Sequence, residues 1–263
     1  MSRPIPVGFS QRLQLDWLEH TATLVLAGHT RDHIVITLQD LLRHALSVGG
    51  TAQRGNREKA ITMLLQIWVS VPRHLRPFRD EGLAHMQRLP VDDRIAVHWG
   101  MAMAVYPFFG AVAAAVGRLV RLQGTCAAAH VQRRLREQLG ERATVARAVR
   151  RTLRCLVDWD TLLETGERGV YQAASARPVQ DKKLVVWLTE AALLTSRVHT
   201  GVLKALVQAP ALFPFYLAAL YLASIYAKIF RDCGDERSFT KSAHESCANR
   251  LGVSIGIVDK GIT

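Results

Sequence analysis

Apolar residues recur at three- and four-residue steps through most of the chain, and the breaks fall at residues that start or stop helices. Residues 10–28 carry Leu13, Trp17, Leu18, Thr21, Leu24 and Val25 on one face, with Ser10 placed as N-cap. Thr30 and Asp32 open a second helix holding Ile34, Leu38, Leu41, Leu42 and Ala45, which Gly49-Gly50 stops. A third begins at Asn56 and points Ile61, Leu64, Leu65 and Trp68 inward. Beyond Pro72 and Pro77, helices are predicted over Phe78–Leu89 and, after Pro90 and Asp92-Asp93, over Ala96–Val105. The first 105 residues thus read as a helical bundle without an alternating strand pattern.

Pro107 restarts the chain as a helix over Phe108–Gln123, closed by Gly124. Thr125 is placed as the cap of Ala127–Leu139, with Ala128, Val131, Leu135 and Leu139 inward. Gly140 makes a turn, and Thr144 is placed as the cap of Val145–Trp159, inward at Val145, Val149, Leu153, Leu156 and Val157. Leu162 to Tyr171 reads as two short strands around a glycine-bearing turn. A helix over Asp181–Ser196 and a helical pair over Val202–Ile229 follow. The polar segment 231–263 shows no helical face before Leu251 and is expected to be a flexible tail. The expected fold is mostly α, in four parts: a bundle over 1–106, a central unit over 107–175, C-terminal helices over 176–230 and the tail.

Ile95–Gly117 and Ala205–Ala227 are each 23 residues without Asp, Glu, Lys or Arg, long enough to cross a bilayer. Pro107 interrupts the first, and Pro210 and Pro214 the second, so each reads as two buried helix ends and not as a span. No apolar run follows the basic start at Met1 to Pro6, so no secretory signal is read and a cytoplasmic location is expected.

At 49% hydrophobic and 21% charged, the 263 residues can bury a core, which excludes wholesale disorder. The formal net charge is +12, and its carriers are 27 arginines against 7 lysines. GC-rich coding favours arginine, and so does phosphate recognition, because the guanidinium fork can donate two parallel hydrogen bonds. Location separates the two explanations. Between Arg118 and Arg154 stand ten arginines and only Glu137 and Glu141, so eight of the twelve net charges lie in about one seventh of the chain. Arg147, Arg150, Arg151 and Arg154 recur at three- and four-residue steps, on the face opposite Val145, Val149, Leu153 and Leu156.

The order of helix, helix, glycine turn, helix and hairpin over residues 108–173 resembles the winged helix-turn-helix superfamily. That resemblance implies a recognition helix at Val145–Trp159, entering the major groove of double-stranded DNA, and a wing tip at Thr165–Gly169. The DNA-binding residues it implies are Arg147, Arg150, Arg151 and Arg154 on that helix. Arg133, Arg134, Arg136 and Arg142 precede them, and Arg168 stands on the wing. More weakly, a protein of this size with a central winged helix is similar to the BrxA accessory proteins of BREX phage defence, which implies DNA binding inside a larger complex. The alternatives are an assembly subunit whose basic helix docks on an acidic protein partner, and a solvated basic face on an ordinary helical protein, with some arginines paired to Asp80, Glu81, Asp92 or Asp93. RNA or a membrane surface are lesser alternatives.

No nucleotide-binding glycine loop, GxSxG or HExxH motif is present, so the reading is non-enzymatic and without a cofactor. Cys126 and Cys155 fit reduced core positions; no CxxC pair is present, and Cys233, His244 and Cys247 could share a metal only from a polar, irregular segment, so no metal is expected. His98 and His130 sit in apolar helical contexts, and Asp158 and Asp160 are expected to cap the helix or pair with Arg154. The five tryptophans occupy helix positions that suit packing.

Overall fold

The computed structural model describes residues 7–46, 55–140, 143–195 and 206–217. These are mostly helical, with a small amount of sheet. Helices α1 (Leu15–Leu26), α2 (Arg31–Leu41), α3 (Asn56–Trp68), α4 (Arg76–Arg88) and α5 (Arg94–Val105) make the N-terminal part. Then come α6 (Pro107–Gln123), β1 (Thr125–Ala127), α7 (Ala128–Leu139), α8 (Ala143–Asp158), β2 (Leu162–Glu164) and β3 (Val170–Ala173). Strand β4 (Arg177–Val179), α9 (Lys182–Thr195) and β5 (Phe215–Leu217) complete the described elements.

The spacing of apolar residues accounts for most of this. Thr30 caps α2 by accepting the His33 N–H at 3.4 Å. All four inward positions expected on α3 are buried. Every residue from Ile95 to Ala104 is buried, making α5 the centre of the molecule. It packs against α1, α3, α4, α6 and α9. Trp68, Trp99, Trp159 and Trp187 lie at the core, and a single apolar cluster runs from Phe9 to Leu217.

Helix α5 ends at Val105 and α6 starts at Pro107 with a bend of 117° between them, as the proline in the first uncharged run requires. Among the described residues no single helix is long and apolar enough to cross a membrane, although this bent pair passes by length and composition. The part of the second run that is described, residues 206–217, holds a helical end at 206–207, a 3-10 helix at Pro210–Leu212 and β5. The helical pair expected over Val202–Ile229 falls largely outside the described residues, and the tail after Arg231, with Cys233, His244 and Cys247, does so entirely.

Three local expectations are corrected. Ser10 is not an N-cap: residues 7–14 precede the first helix, which starts at Leu15 behind an extended Gln14. Thr125 does not cap a helix but opens β1, whose pairing partner lies some forty residues further on. Asp158 pairs with Arg12, and Arg154 with Glu164.

Strand β3 lies between β1 and β2, antiparallel to both, with Cys126 opposite Tyr171 and Leu163 opposite Gln172. A parallel pair, β4 with β5, joins the chain after the hairpin to residues 215–217. Gly117 packs directly against the backbone at Pro210: a Cβ there would fall inside contact distance of the Pro210 carbonyl oxygen. Alanine improves helix propensity by about 0.8–1 kcal/mol, but forced overpacking costs about 1–3 kcal/mol. The obstacle is backbone, so Gly117→Ala is expected to destabilise the protein by roughly 1–2 kcal/mol in urea unfolding.

Candidate nucleic-acid interface

Helix α8 separates its two kinds of residue completely. Val145, Ala148, Val149, Thr152, Leu153, Cys155 and Leu156 are buried, whereas Arg147, Arg150, Arg151 and Arg154 are all exposed. At 3.6 residues per turn the four arginines fall within about 100° of arc and span about 10.5 Å along the axis. The helix closes with Asp160 at φ 50°, a left-handed conformation that aspartate tolerates. There Thr161 donates from N and Oγ1 to the Leu156 carbonyl at 3.0 and 2.7 Å, directing the chain into β2.

The α8 arginines differ in what they already hold. Arg151 donates to the Ser10 carbonyl, and Arg154 pairs with Glu164 on β2 at 3.0 Å with both side chains exposed. No hydrogen bond or ion pair involves the Arg147 or Arg150 side chain among the described residues. On α7, Arg133 is exposed and lies 3.9 Å from Glu137, while Arg134 and Arg136 are half-buried. The Arg136 Nε is buried without a partner. Arg168 is exposed in the β2–β3 turn, next to Gly169 at φ 79°. Arg142 lies outside the described residues. The structure therefore brings Arg147, Arg150, Arg151 and Arg154 onto one surface, with Arg133 and Arg168 on neighbouring elements.

Of the acids offered above as internal partners, Asp80 is taken by its neighbour Arg79 at 2.7 Å.

The segment 7–14 lies along one flank of α8, where the spacing of residues 10–14 predicts helix. Phe9 and Leu13 are fully buried. The Leu13 N–H donates to Cys155 Sγ at 3.1 Å, and the Trp159 indole N–H donates to the Leu13 carbonyl at 2.9 Å. Arg12 pairs with Asp158, and this hydrogen bond raises the Arg12 pKa above its ordinary value against the effect of burial. Burial pushes the Cys155 thiol up to about 12 and the Cys126 thiol to about 11, so neither is a nucleophile at neutral pH.

Among the described residues no three His, Cys, Asp or Glu side chains are grouped to hold a metal ion. His130 is exposed, and His98 is buried against Glu19. What the arrangement offers chemically is an exposed row of guanidinium groups on a helix whose other face is buried in the core. No protein-family model, curated protein or solved structure matches this chain.

Proposed function

We propose that residues 107–173 form a winged helix-turn-helix unit that binds duplex DNA through α8. The exposed arginine arc on α8 carries this reading. Like charges three and four residues apart repel by a few tenths of a kcal/mol per pair, so helix stability does not ask for them. A polyanion does, because neutralising phosphates releases counterions. The 10.5 Å span matches about three base-pair steps at 3.4 Å each. Further support comes from β1, which ties the hairpin into a three-stranded sheet and gives the proposed wing a fixed base.

In this reading Arg147, Arg150 and Arg154 face the groove, and Arg133 and Arg168 meet phosphates on either side. Arg134 and Arg136, half-buried on α7, add to the field more than to direct contact. Guanine is the base that arginine reads most often.

The test is a low-salt gel shift with a short duplex. Arg150 and Arg154 are the residues to change, because Arg151 also holds the N-terminal segment. The double variant Arg150→Ala, Arg154→Ala is expected to bind roughly tenfold or more weakly, with a salt slope shallower by about one per arginine. Its thermal unfolding should match the parent. Parental affinity in the folded double variant rejects this face. A parent that binds no duplex at low salt moves the reading to an acidic protein partner.

A further inference from the structure

A groove of about 290 Å³ opens where residues 7–11, the first turns of α3 and the first turns of α8 meet. Its polar lining is Ser10, Gln11, Lys59, Thr144, Arg147 and Arg151, and among the described residues no Asp or Glu lines it. The acid beside Lys59 in sequence, Glu58, is not part of the lining. Three cations, two hydroxyls and an amide make this a donor-rich wall. The amphipathic period of α8 accounts for Arg147 and Arg151 but not for Lys59, which arrives from a helix 88 residues earlier than Arg147. Bringing a third cation to the other two costs Coulomb energy. No acid among the described lining residues offsets it.

We infer that this groove binds a phosphate group in its doubly charged form, as a phosphomonoester or an oligophosphate. Such a group carries about −1.5 to −2 charges at neutral pH and presents three acceptor oxygens. The two guanidinium forks can each take a pair of those oxygens, and the ammonium of Lys59 supplies a compact third charge. Arg151 is already positioned: one of its five N–H groups is spent on the Ser10 carbonyl, which leaves four for a ligand. Gln11 in the lining is buried and donates from Nε2 to Asn56 at 3.4 Å. An internal phosphodiester of a duplex carries one charge and runs on at both ends. A groove at the small end of the usual ligand-cleft range suits a group that terminates. The inference does not depend on α8 contacting duplex DNA. The two sources of such a phosphate are a phosphorylated DNA end and a free oligophosphate.

The experiment is calorimetric titration of inorganic pyrophosphate into the full chain at low ionic strength. Saturable one-to-one binding is expected. Lys59→Ala is expected to weaken it at least tenfold, and Lys59→Gln, which keeps most of the side-chain length, to do the same. Arg118→Ala, exposed on α6 and outside the groove, should retain it. Absence of pyrophosphate binding, or parental binding by both folded Lys59 variants, overturns the inference. Duplexes with and without a 5′-phosphate then separate the sources. A preference for the phosphorylated end that Lys59→Ala abolishes assigns the groove to DNA ends. Equal duplex affinities with pyrophosphate binding retained assign it to a free oligophosphate. Pyrophosphate binding by a chain that binds no duplex keeps this site and rejects the DNA reading, and the reverse result rejects the site alone.

Discussion

Trp159→Ala is expected to lower the unfolding free energy by roughly 3–5 kcal/mol. Trp159 is 1% exposed and sits just past the end of α8, where three other segments converge. Its indole N–H donates to the Leu13 carbonyl at 2.9 Å, tying the N-terminal segment to α8. Its rings meet Trp99 of α5 edge-on at 6.0 Å and Phe109 of α6 in a tilted contact at 5.5 Å. Alanine removes the packing and leaves a buried carbonyl without its donor, and both losses act in the same direction. Trp159→Phe keeps most of the apolar volume and loses chiefly the hydrogen bond, so its cost should be nearer 1–2 kcal/mol. Urea unfolding of both variants separates the terms. A Trp159→Ala protein within 1 kcal/mol of the parent would show that α8 is held by something other than this junction.

That junction also marks how far the sequence alone could carry the fold. Helix positions were legible wherever one face stays apolar over three turns, as on α3, where Ile61, Leu64, Leu65 and Trp68 are all buried. Pro107 and Gly124 bracketed α6 correctly because their effects are local: a fixed φ at the start and a left-handed residue, φ 78°, at the end. Strand β1 was not legible. Thr125, Cys126 and Ala127 are too few to alternate, and they are extended because β3 pairs with them from far along the chain. The parallel β4–β5 pair is hidden for the same reason. Residues 10–14 read as helix because Leu13 and Trp17 keep a helical spacing, while the Leu13 N–H is in fact taken by Cys155 Sγ.

The charged surface divides along the same line. The three- and four-residue spacing of Arg147, Arg150, Arg151 and Arg154 forces them onto one side of α8, and all four are exposed there. Their partners are tertiary. Glu164 reaches Arg154 because the hairpin folds back along α8, and Ser10 reaches Arg151 because residues 7–14 lie alongside. Lys59 shows no special pattern on α3 and joins the arginines only through packing. Periodicity reports the face a helix presents, and says nothing about what a distant segment brings to it.

The second large effect lies in the cluster that joins α1 to α5. Glu19 accepts from Arg94 at 2.6 Å and from His98 Nε2 at 2.9 Å, while Trp68 meets the His98 ring edge-on. Burial pushes the His98 pKa below its ordinary value, and the hydrogen bond to Glu19 only partly opposes it. Burial acts upward on the Glu19 carboxyl, but the hydrogen bonds from His98 and Arg94 outweigh it and leave the pKa lowered. His98 is therefore neutral at pH 7 with its proton on Nε2, and its Nδ1 is buried without a partner. Removing the carboxylate takes the counter-charge from Arg94, which keeps only its bond to the Leu89 carbonyl, and leaves a buried imidazole donor without its acceptor. Glu19→Ala is expected to cost about 3 kcal/mol at pH 7, the low end for a broken buried pair, since Glu19 and Arg94 each keep about a quarter of their exposure. Acid should act on the same cluster. Below about pH 6.5 the unfolded chain takes up the histidine proton before the folded one does. Stability then falls with a slope of up to about 1.4 kcal/mol per pH unit until the folded pKa is passed. The Glu19 contribution is present above its unfolded pKa and fades as pH drops through the lower folded one, so the two losses add in sequence. His98→Gln keeps a donor for Glu19 and has nothing to titrate. Its unfolding free energy should be flatter than the parent's between pH 6.5 and 5, and parallel curves over that range would exclude His98 as the source.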